Sequence, residues 1–289
     1  MTVTIKPLTP VFAGEVGPID LRQVHDRESL EAIRAGMDTY AVLVFRDQRF
    51  TNEEQLDFAQ RFDGTLHART SSSAIGANRF GNEAIADVSN VDKDGNIRDA
   101  SNRMRASAVG NRLWHTDASF VDPPGRYSML SARVVPPVRA DTEFADMRAA
   151  YDALDEETRA SLEGLRVYHT IVYSRHVLGF DFNDDEKEKL KGAIHPLVRT
   201  IPTSGRRALY LASHAEHIVD MPVPEGRLLL RDLSDHATQR EFVYRHIWQP
   251  HDFVIWDNRC TMHRARPFDD QQHRREMRRT TTLDLPLPA

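Results

Sequence analysis

Apolar residues near the start of the chain are grouped into short stretches that polar residues separate. Residues 28–37 (ESLEAIRAGM) predict a short helix. Residues 41–45 (AVLVF) form a compact apolar run that is typical of a buried strand. We therefore expect this part of the chain to contribute to a core.

A second helix is predicted to begin after Thr51. The residues T51 N52 E53 E54 have the pattern of a capping box, with Thr51 as the N-cap and Glu54 at the third helical position. Phe58 and Phe62 lie four residues apart, so on a helix they share one face. Since aromatic residues are mostly buried, we expect both rings to lie in the core.

The pattern becomes polar between residues 68 and 111, where residues 84–91 form one possible strand. Structureless segments of this length are uncommon in a compact domain unless they are functional or partly disordered. The segment ends just before a candidate metal ligand, His115. We therefore expect this segment to be a lid that covers an active site.

The rest of the chain predicts many short strands, a few helices and no regular alternation of the two. This pattern disfavours a parallel doubly wound sheet and favours a mainly β fold, a jelly-roll core with helical additions. We find no internal repeat and no convincing linker, so we expect one domain over residues 1–289. The predicted elements are strands at 127–135, 142–145, 208–212, 253–256 and 280–285, a helix near 224–236 and a helical insert at 147–165.

Composition narrows the possible partners. The chain has 289 residues and a formal net charge of −5, which gives no electrostatic reason to bind nucleic acid or an anionic membrane. Cys260 is its one cysteine, so no intramolecular disulfide is possible. The first residues lack a basic, apolar leader, and no apolar run reaches 18 residues. We expect a cytoplasmic protein with a small-molecule partner.

His115, Asp117 and His263 are the candidate metal ligands. If residues 113–119 are extended, His115 and Asp117 project from the same face, whereas a helix would point them about 200° apart. His263 follows the apolar run FVIW and a turn-like DNR, which makes it the best candidate for a third ligand. Two imidazoles and one carboxylate form the facial triad typical of non-haem Fe(II), and structural zinc is disfavoured because cysteine ligands are scarce.

An arginine-rich segment, RREMRRTT (274–281), follows these ligands. In a strand, Arg275 and Arg279 share one face, and Arg274 and Arg278 share the other. Guanidinium groups pair bidentately with carboxylates, so two of them near a metal favour a small anion. The alternatives are a solvated basic strand or a nucleic-acid patch, and the latter is disfavoured by the acidic overall balance and the lack of interleaved aromatic residues.

Together these segments resemble the Fe(II)- and 2-oxoglutarate-dependent dioxygenases of the taurine and 2,4-dichlorophenoxyacetate type. The resemblance extends from about residue 5 to the end and rests on WHTDASF (114–120), DTEFADMRAAYDAL (141–154), WDNRCTMHRA (256–265) and RREMRRTT (274–281). Within the family, the segments YSMLSA (127–132), HPLVRT (195–200) and HATQREFVYRH (236–246) look most similar to the 2,4-dichlorophenoxyacetate branch.

The resemblance implies a role for each matching residue. It makes His115, Asp117 and His263 the iron ligands. Thr142 and Arg275 match residues that hold 2-oxoglutarate. On the substrate side, Arg279 matches an arginine near the substrate anion and Asn111 a substrate-side position, and His214 is our first choice among the candidate histidines His67, His195, His214 and His217.

One departure concerns the approach to Thr142. The family usually has two glycines shortly before this threonine, whereas the chain reads V138 R139 A140 D141 T142. The turn must therefore form without the positive φ angles that glycine permits.

The implied reaction is hydroxylation of an aryloxyalkanoate next to its ether oxygen. It consumes O2 and 2-oxoglutarate and yields a phenol, glyoxylate, succinate and CO2. Within the same class, an alkylsulfonate or another small carboxylate is an alternative substrate. A non-catalytic jelly-roll protein that binds a small anion and a zinc hydrolase are alternatives of other classes. We also expect a homo-oligomer.

Overall fold

A computed structural model describes residues 3–10, 12–68, 75–76 and 79–286. The strands are β1 (Ile5–Pro7), β2 (Gly14–Val16), β3 (Val42–Phe45), β4 (Ala86–Asp87), β5 (Gly125–Val134), β6 (Thr142–Asp146), β7 (Arg166–His169), β8 (Ala193–Pro196), β9 (Val198–Thr200), β10 (Arg207–Leu209), β11 (Ala215–Ile218), β12 (Val243–His246), β13 (Phe253–Asp257), β14 (Thr261–Ala265) and β15 (Glu276–Leu283). The α-helices are α1 (Arg27–Tyr40), α2 (Asn52–Asp63), α3 (Arg103–Ala108), α4 (Met147–Asp152), α5 (Glu156–Ser161), α6 (Ile171–His176), α7 (Asp184–Lys189) and α8 (Val223–Ala237).

Two sheets build the centre of the molecule. The large sheet has the strand order β1-β2-β3-β13-β5-β15-β4, and a smaller sheet has the order β12-β6-β14. Phe144 of β6 packs in one cluster with Val254 and Trp256 of β13, so these two sheets face each other across a shared core. The predicted jelly-roll core with helical additions is confirmed.

The centre of the large sheet is buried on both faces. Val42 and Val44 of β3 point into the core between the sheets. Leu43 and Phe45 point to the other face, where α1 and α2 cover them. Successive side chains of a strand alternate between faces, so a strand covered on both sides is apolar throughout. This explains the continuous AVLVF run, whose first residue, Ala41, instead ends α1 with a φ of 57°.

The second helix begins as the sequence predicts. Thr51 Oγ1 accepts a hydrogen bond from the Glu54 amide at 3.1 Å, and the Glu54 carboxylate accepts one from the Thr51 amide at 2.7 Å. Phe58 and Phe62 are fully buried and their ring centroids lie 5.7 Å apart. The helix thus turns its aromatic face onto the large sheet.

Some predicted strands differ from the observed ones. Residues 113–119 form a single bridge pair at His115 and then a turn, in which Ala118 has a φ of 54°. The strand expected at 208–212 ends at Leu209, and within 84–91 the strand is limited to Ala86–Asp87. The last strand begins four residues earlier than expected, at Glu276, because it pairs along β5.

Helices α4 and α5 fall within residues 147–165, as the pattern predicts. The single domain over residues 1–289, the insert and the lid at 68–111 stay predictions. Six residues of the lid range, 69–74, and residues 77–78 lie outside the described part of the chain. No helix in the described ranges is long and apolar enough to cross a membrane.

Replacing Phe58 with alanine is expected to lower the free energy of unfolding by about 3–5 kcal/mol, because its ring is fully buried among Phe50, Phe62 and Phe253. Urea unfolding followed by fluorescence measures the change. Leu228→Ala is the control, since that side chain is half exposed and its loss should change stability by less than about 0.5 kcal/mol. A Phe58→Ala protein as stable as this control would contradict the packing.

Candidate metal centre and its cavity

Two backbone hydrogen bonds join the candidate histidine ligands. The His115 amide donates to the His263 carbonyl at 3.0 Å, and the His263 amide donates to the His115 carbonyl at 2.8 Å. Residues paired in this way lie directly opposite each other in an antiparallel bridge. Their imidazole centroids are accordingly 4.1 Å apart.

Asp117 lies in the turn that follows and completes the group. Its Oδ1 is 3.9 Å from His115 Nε2, and its Oδ2 is 3.6 Å from His263 Nε2. One ligand atom from each of the three residues lies within 4.8 Å of the others, and all three residues are buried. The turn, rather than the alternation of a strand, brings Asp117 to the same side as His115.

The three side chains have the protonation states that metal binding requires. Burial lowers the pKa of His115 to about 4 and that of His263 well below its usual value, so both imidazoles are neutral at pH 7. The His115 Nδ1–H donates to the Leu113 carbonyl at 2.8 Å, which leaves the Nε2 lone pair directed at Asp117. Metal ligands must be deprotonated, so this tautomer suits a cation.

Asp117 is held by groups from the large sheet and the turn before β14. Ser128 of β5 donates to Oδ2 at 2.8 Å, and Arg279 of β15 donates to Oδ1. The Asp117 amide donates to the side-chain oxygen of Asn258 at 3.1 Å, and Asn258 in turn donates to Ser128 at 3.0 Å. These contacts fix both the backbone and the carboxylate of the ligand.

The same contacts keep the carboxylate ionised. Burial alone would raise the pKa of Asp117, but the positive charge of Arg279 and the Ser128 hydrogen bond hold it below its usual value. Two neutral imidazoles and one anionic carboxylate form a facial donor set that suits non-haem Fe(II) and leaves positions for other ligands. The residues present therefore fit a mononuclear metal ion.

The three candidate ligands line a cavity, and the arginine-rich segment adds two guanidinium groups to it. Arg275, just before β15, and Arg279 line this cavity together with the three candidate ligands. Arg274 and Arg278 lie on the other face, and each binds the Glu276 carboxylate. Arg275 and Arg279 thus share one face and Arg274 and Arg278 the other, as the alternation of a strand predicts.

Thr142, the first residue of β6, also lines the cavity and is buried. Its Oγ1 accepts a hydrogen bond from the Trp248 indole at 2.9 Å, which fixes the hydroxyl. None of residues 138–141 has a positive φ angle. The turn before Thr142 therefore needs no glycine, and the departure from the usual family sequence leaves the position of Thr142 intact.

The candidate substrate residues divide into two groups. Asn111 and His214 line the cavity, as does His67. His214 contacts Ser174 at 2.9 Å, and its ring packs edge to face on Phe120. By contrast, His195 hydrogen-bonds to the Val121 carbonyl, and His217 packs against Tyr168; neither lines this cavity.

Sequence reasoning missed several residues at the site. Ser128 and Asn258 support Asp117, and Arg175 of α6 is one of five arginines that line the cavity besides Arg275 and Arg279. Asn258 lies within the segment WDNRCTMHRA and Ser128 within YSMLSA, so their neighbourhood was visible but their hydrogen bonds were not. Arg175 lies in a short helix whose sequence carries no signal of a binding role.

Comparison with known proteins decides the family. The model of the family "Taurine catabolism dioxygenase TauD, TfdA family" matches residues 4–281. The chain belongs to this dioxygenase family. The protein is therefore an enzyme, as the sequence resemblance predicts.

Two curated relatives match nearly the full length of the chain. It is 46% identical over 285 residues to the alpha-ketoglutarate-dependent 2,4-dichlorophenoxyacetate dioxygenase of Cupriavidus pinatubonensis, which covers 98% of this chain and 99% of that protein. It is 37% identical over 279 residues to the (S)-phenoxypropionate/alpha-ketoglutarate-dioxygenase of Sphingobium herbicidovorans, covering 93% and 91%. Among solved structures, AAD-2 in complex with Mn(II) and N-oxalylglycine superposes with a TM-score of 0.89 at 47% identity, covering both chains completely.

Removing the Ser128 hydroxyl is expected to weaken metal binding about tenfold or more, because loss of a group that orients a ligand typically has this effect. Calorimetric titration of Ser128→Ala with Mn(II) measures it. Ser131→Ala is a matched control on the same strand, since the Ser131 hydroxyl is buried without a hydrogen-bond partner in the described structure. Equal Mn(II) affinities of the two variants would show that Ser128 does not orient Asp117.

Proposed function

We propose that the protein is an Fe(II)- and 2-oxoglutarate-dependent dioxygenase that hydroxylates an aryloxyalkanoate, such as 2,4-dichlorophenoxyacetate, next to its ether oxygen. The products are a phenol and glyoxylate, formed together with succinate and CO2. The observation that carries this proposal is the location of His115, Asp117 and His263 in one cavity with buried arginines. The names of the similar proteins support the substrate class.

His115, Asp117 and His263 hold the iron. Fe(II), with O2 and 2-oxoglutarate, supplies the oxidising chemistry that inserts oxygen into a C–H bond and that no side chain can supply. The protein contributes binding and orientation. The Ser128 and Asn258 contacts hold the Asp117 carboxylate in place, so this metal ligand is positioned before the substrates enter the cavity.

Arg275 and Thr142 bind 2-oxoglutarate in this proposal. Arg275 is buried, and burial lowers its pKa to about 10, so the guanidinium is charged at neutral pH. In the described part of the chain no carboxylate pairs with it, whereas Arg274 is bound to Glu276. A dicarboxylate therefore finds a guanidinium without a competing anion.

Arg279, Asn111 and His214 face the substrate. One terminal nitrogen of Arg279 donates a hydrogen bond to Asp117, while its Nε is buried without a partner in the described structure. This donor can serve an anion beside the metal. The remaining expectations, a cytoplasmic homo-oligomer that binds neither nucleic acid nor membranes, belong to the proposal as well.

The decisive experiment measures substrate-dependent succinate release under air with Fe(II), ascorbate and 2-oxoglutarate. We expect release with 2,4-dichlorophenoxyacetate and phenoxypropionates, and a weaker response to taurine. His115→Ala and Asp117→Ala should abolish it, while His25→Ala, which removes an exposed histidine, should retain it. Taurine as the better substrate would favour the alkylsulfonate alternative, and no release with any compound would favour a non-catalytic protein. Substrate turnover with zinc in place of iron, without succinate release, would favour a hydrolase.

Arg275→Met is expected to raise the KM for 2-oxoglutarate about 10- to 100-fold, since a hydrogen-bonded charge pair contributes about 1.5–3 kcal/mol. The KM for the aryloxyalkanoate should change little. Arg274→Met is the neighbouring control, because Arg274 is half exposed and bound to Glu276 on the opposite face of the strand. The assignment fails if both variants have the KM of the wild type.

A further inference from the structure

Seven of the described arginines line the cavity, and their charges are balanced differently. Four of them each form an ion pair with a carboxylate: Arg98, Arg105, Arg112 and Arg266. Arg279 donates to the Asp117 carboxylate. Arg275 and Arg175 form no ion pair with a carboxylate of the described chain. The cavity therefore contains two guanidinium charges that no acidic side chain of the described residues pairs with.

Arg175 lies in α6 and is only 3% exposed. Its terminal nitrogens donate to Ser174 Oγ at 3.2 Å and to Asn111 Oδ1 at 3.3 Å, both neutral acceptors. Its Nε is buried and has no partner among the described atoms. The guanidinium thus retains hydrogen-bonding capacity for a guest.

Gly110 fixes the position of this guanidinium. A Cβ atom at residue 110 would lie 2.2 Å from Arg175 Cζ, so the group packs directly on the glycine backbone. The adjacent Asn111 supplies one of the two hydrogen bonds. The short 3-10 helix Val109–Arg112 is thereby shaped to receive Arg175.

Such an arrangement is costly in the free protein. Burial, together with the nearby charge of Arg279, lowers the pKa of Arg175 to about 10, which still leaves the group charged at neutral pH. The Asp117 carboxylate opposes this shift from a distance, but it forms no ion pair with Arg175. A buried charge without a counterion destabilises a fold. An anionic guest beside Arg175 would offset this cost.

The positive charges of the cavity indicate where each anion binds. The proposed reaction brings two anions into the cavity, the dicarboxylate cosubstrate and the carboxylate of the substrate. Arg275, just before β15, takes the cosubstrate. Arg175 is on α6 on the proposed substrate side, because it donates to Asn111 and the adjacent Ser174 contacts His214. Arg279 also faces the substrate, but Asp117 already balances its charge, so it offers a hydrogen-bond donor rather than an unbalanced charge.

We propose that Arg175 binds the carboxylate of the substrate and that Asn111, Ser174 and Gly110 hold its guanidinium in place for this purpose. This inference rests on the proposed function and sharpens it. It makes a carboxylate an essential part of the substrate. It also assigns the selection for that carboxylate to a residue on a helix outside the jelly-roll sheets.

Arg175→Met tests the proposal, because methionine removes the charge but keeps an apolar stem. The KM for 2,4-dichlorophenoxyacetate should rise about 10- to 100-fold, the value expected for a lost charged hydrogen bond, while the KM for 2-oxoglutarate stays within about twofold. The neutral amide of the same compound gives a second reading. The wild type should prefer the acid to the amide by about tenfold or more, and Arg175→Met should lose this preference.

Two further variants separate binding from folding. Arg175→Lys retains the charge without the planar fork and should restore part of the affinity for the acid. Gly110→Ala leaves Arg175 in the chain but displaces it, and should raise the KM for the acid in the same direction. The Tm of Arg175→Met without ligands should equal or exceed that of the wild type, since an unpaired buried charge is removed.

The outcomes distinguish this inference from the function on which it rests. If the wild type oxidises aryloxyalkanoates and Arg175→Met has an unchanged KM for the acid, Arg175 does not bind the substrate. If Arg175→Met raises the KM for 2-oxoglutarate instead, the two guests are assigned the wrong way round. Equal losses with the acid and the amide would indicate a structural role. A wild type inactive on every aryloxyalkanoate overturns both proposals.

Discussion

The reciprocal pair of backbone hydrogen bonds between His115 and His263 is the constraint on which the site depends. It joins a connecting segment to β14 at one point only, and in that position the two imidazoles must lie side by side. The chain then turns at once, which brings the Asp117 carboxylate to both rings. A longer pairing would have carried Asp117 along β14, away from Ser128 and Arg279.

Charge and burial act together around this bridge. Burial keeps both histidines neutral, whereas the guanidinium of Arg279 keeps the neighbouring Asp117 ionised in the same buried environment. Adjacent buried groups thus have different protonation states because their neighbours differ. Arg175 and Arg275 show the opposite case, because no carboxylate of the described residues forms an ion pair with either guanidinium.

Local patterns predicted the parts of the protein that local physics determines. The capping box at Thr51, the buried AVLVF strand and the alternation of Arg275 and Arg279 follow from the period of a helix or strand. The turn at Asp117 and the position of Arg175 do not, since both depend on residues distant in the chain. Asn258 fixes the first, and Gly110 with Asn111 receives the second. Such contacts leave no periodic trace in a sequence.

The three candidate ligands are attached to both sheets of the jelly roll. His263 belongs to β14 of the smaller sheet, whereas Asp117 is bound by Ser128 and Arg279 of the large sheet. A cation held by these residues therefore cross-links the two sheets at the mouth of the core. Metal-binding free energy is then also free energy of folding. A metal ion at the proposed site would therefore stabilise the packing of the two sheets as well as support the reaction, and chelation would lower the free energy of unfolding as well as end catalysis.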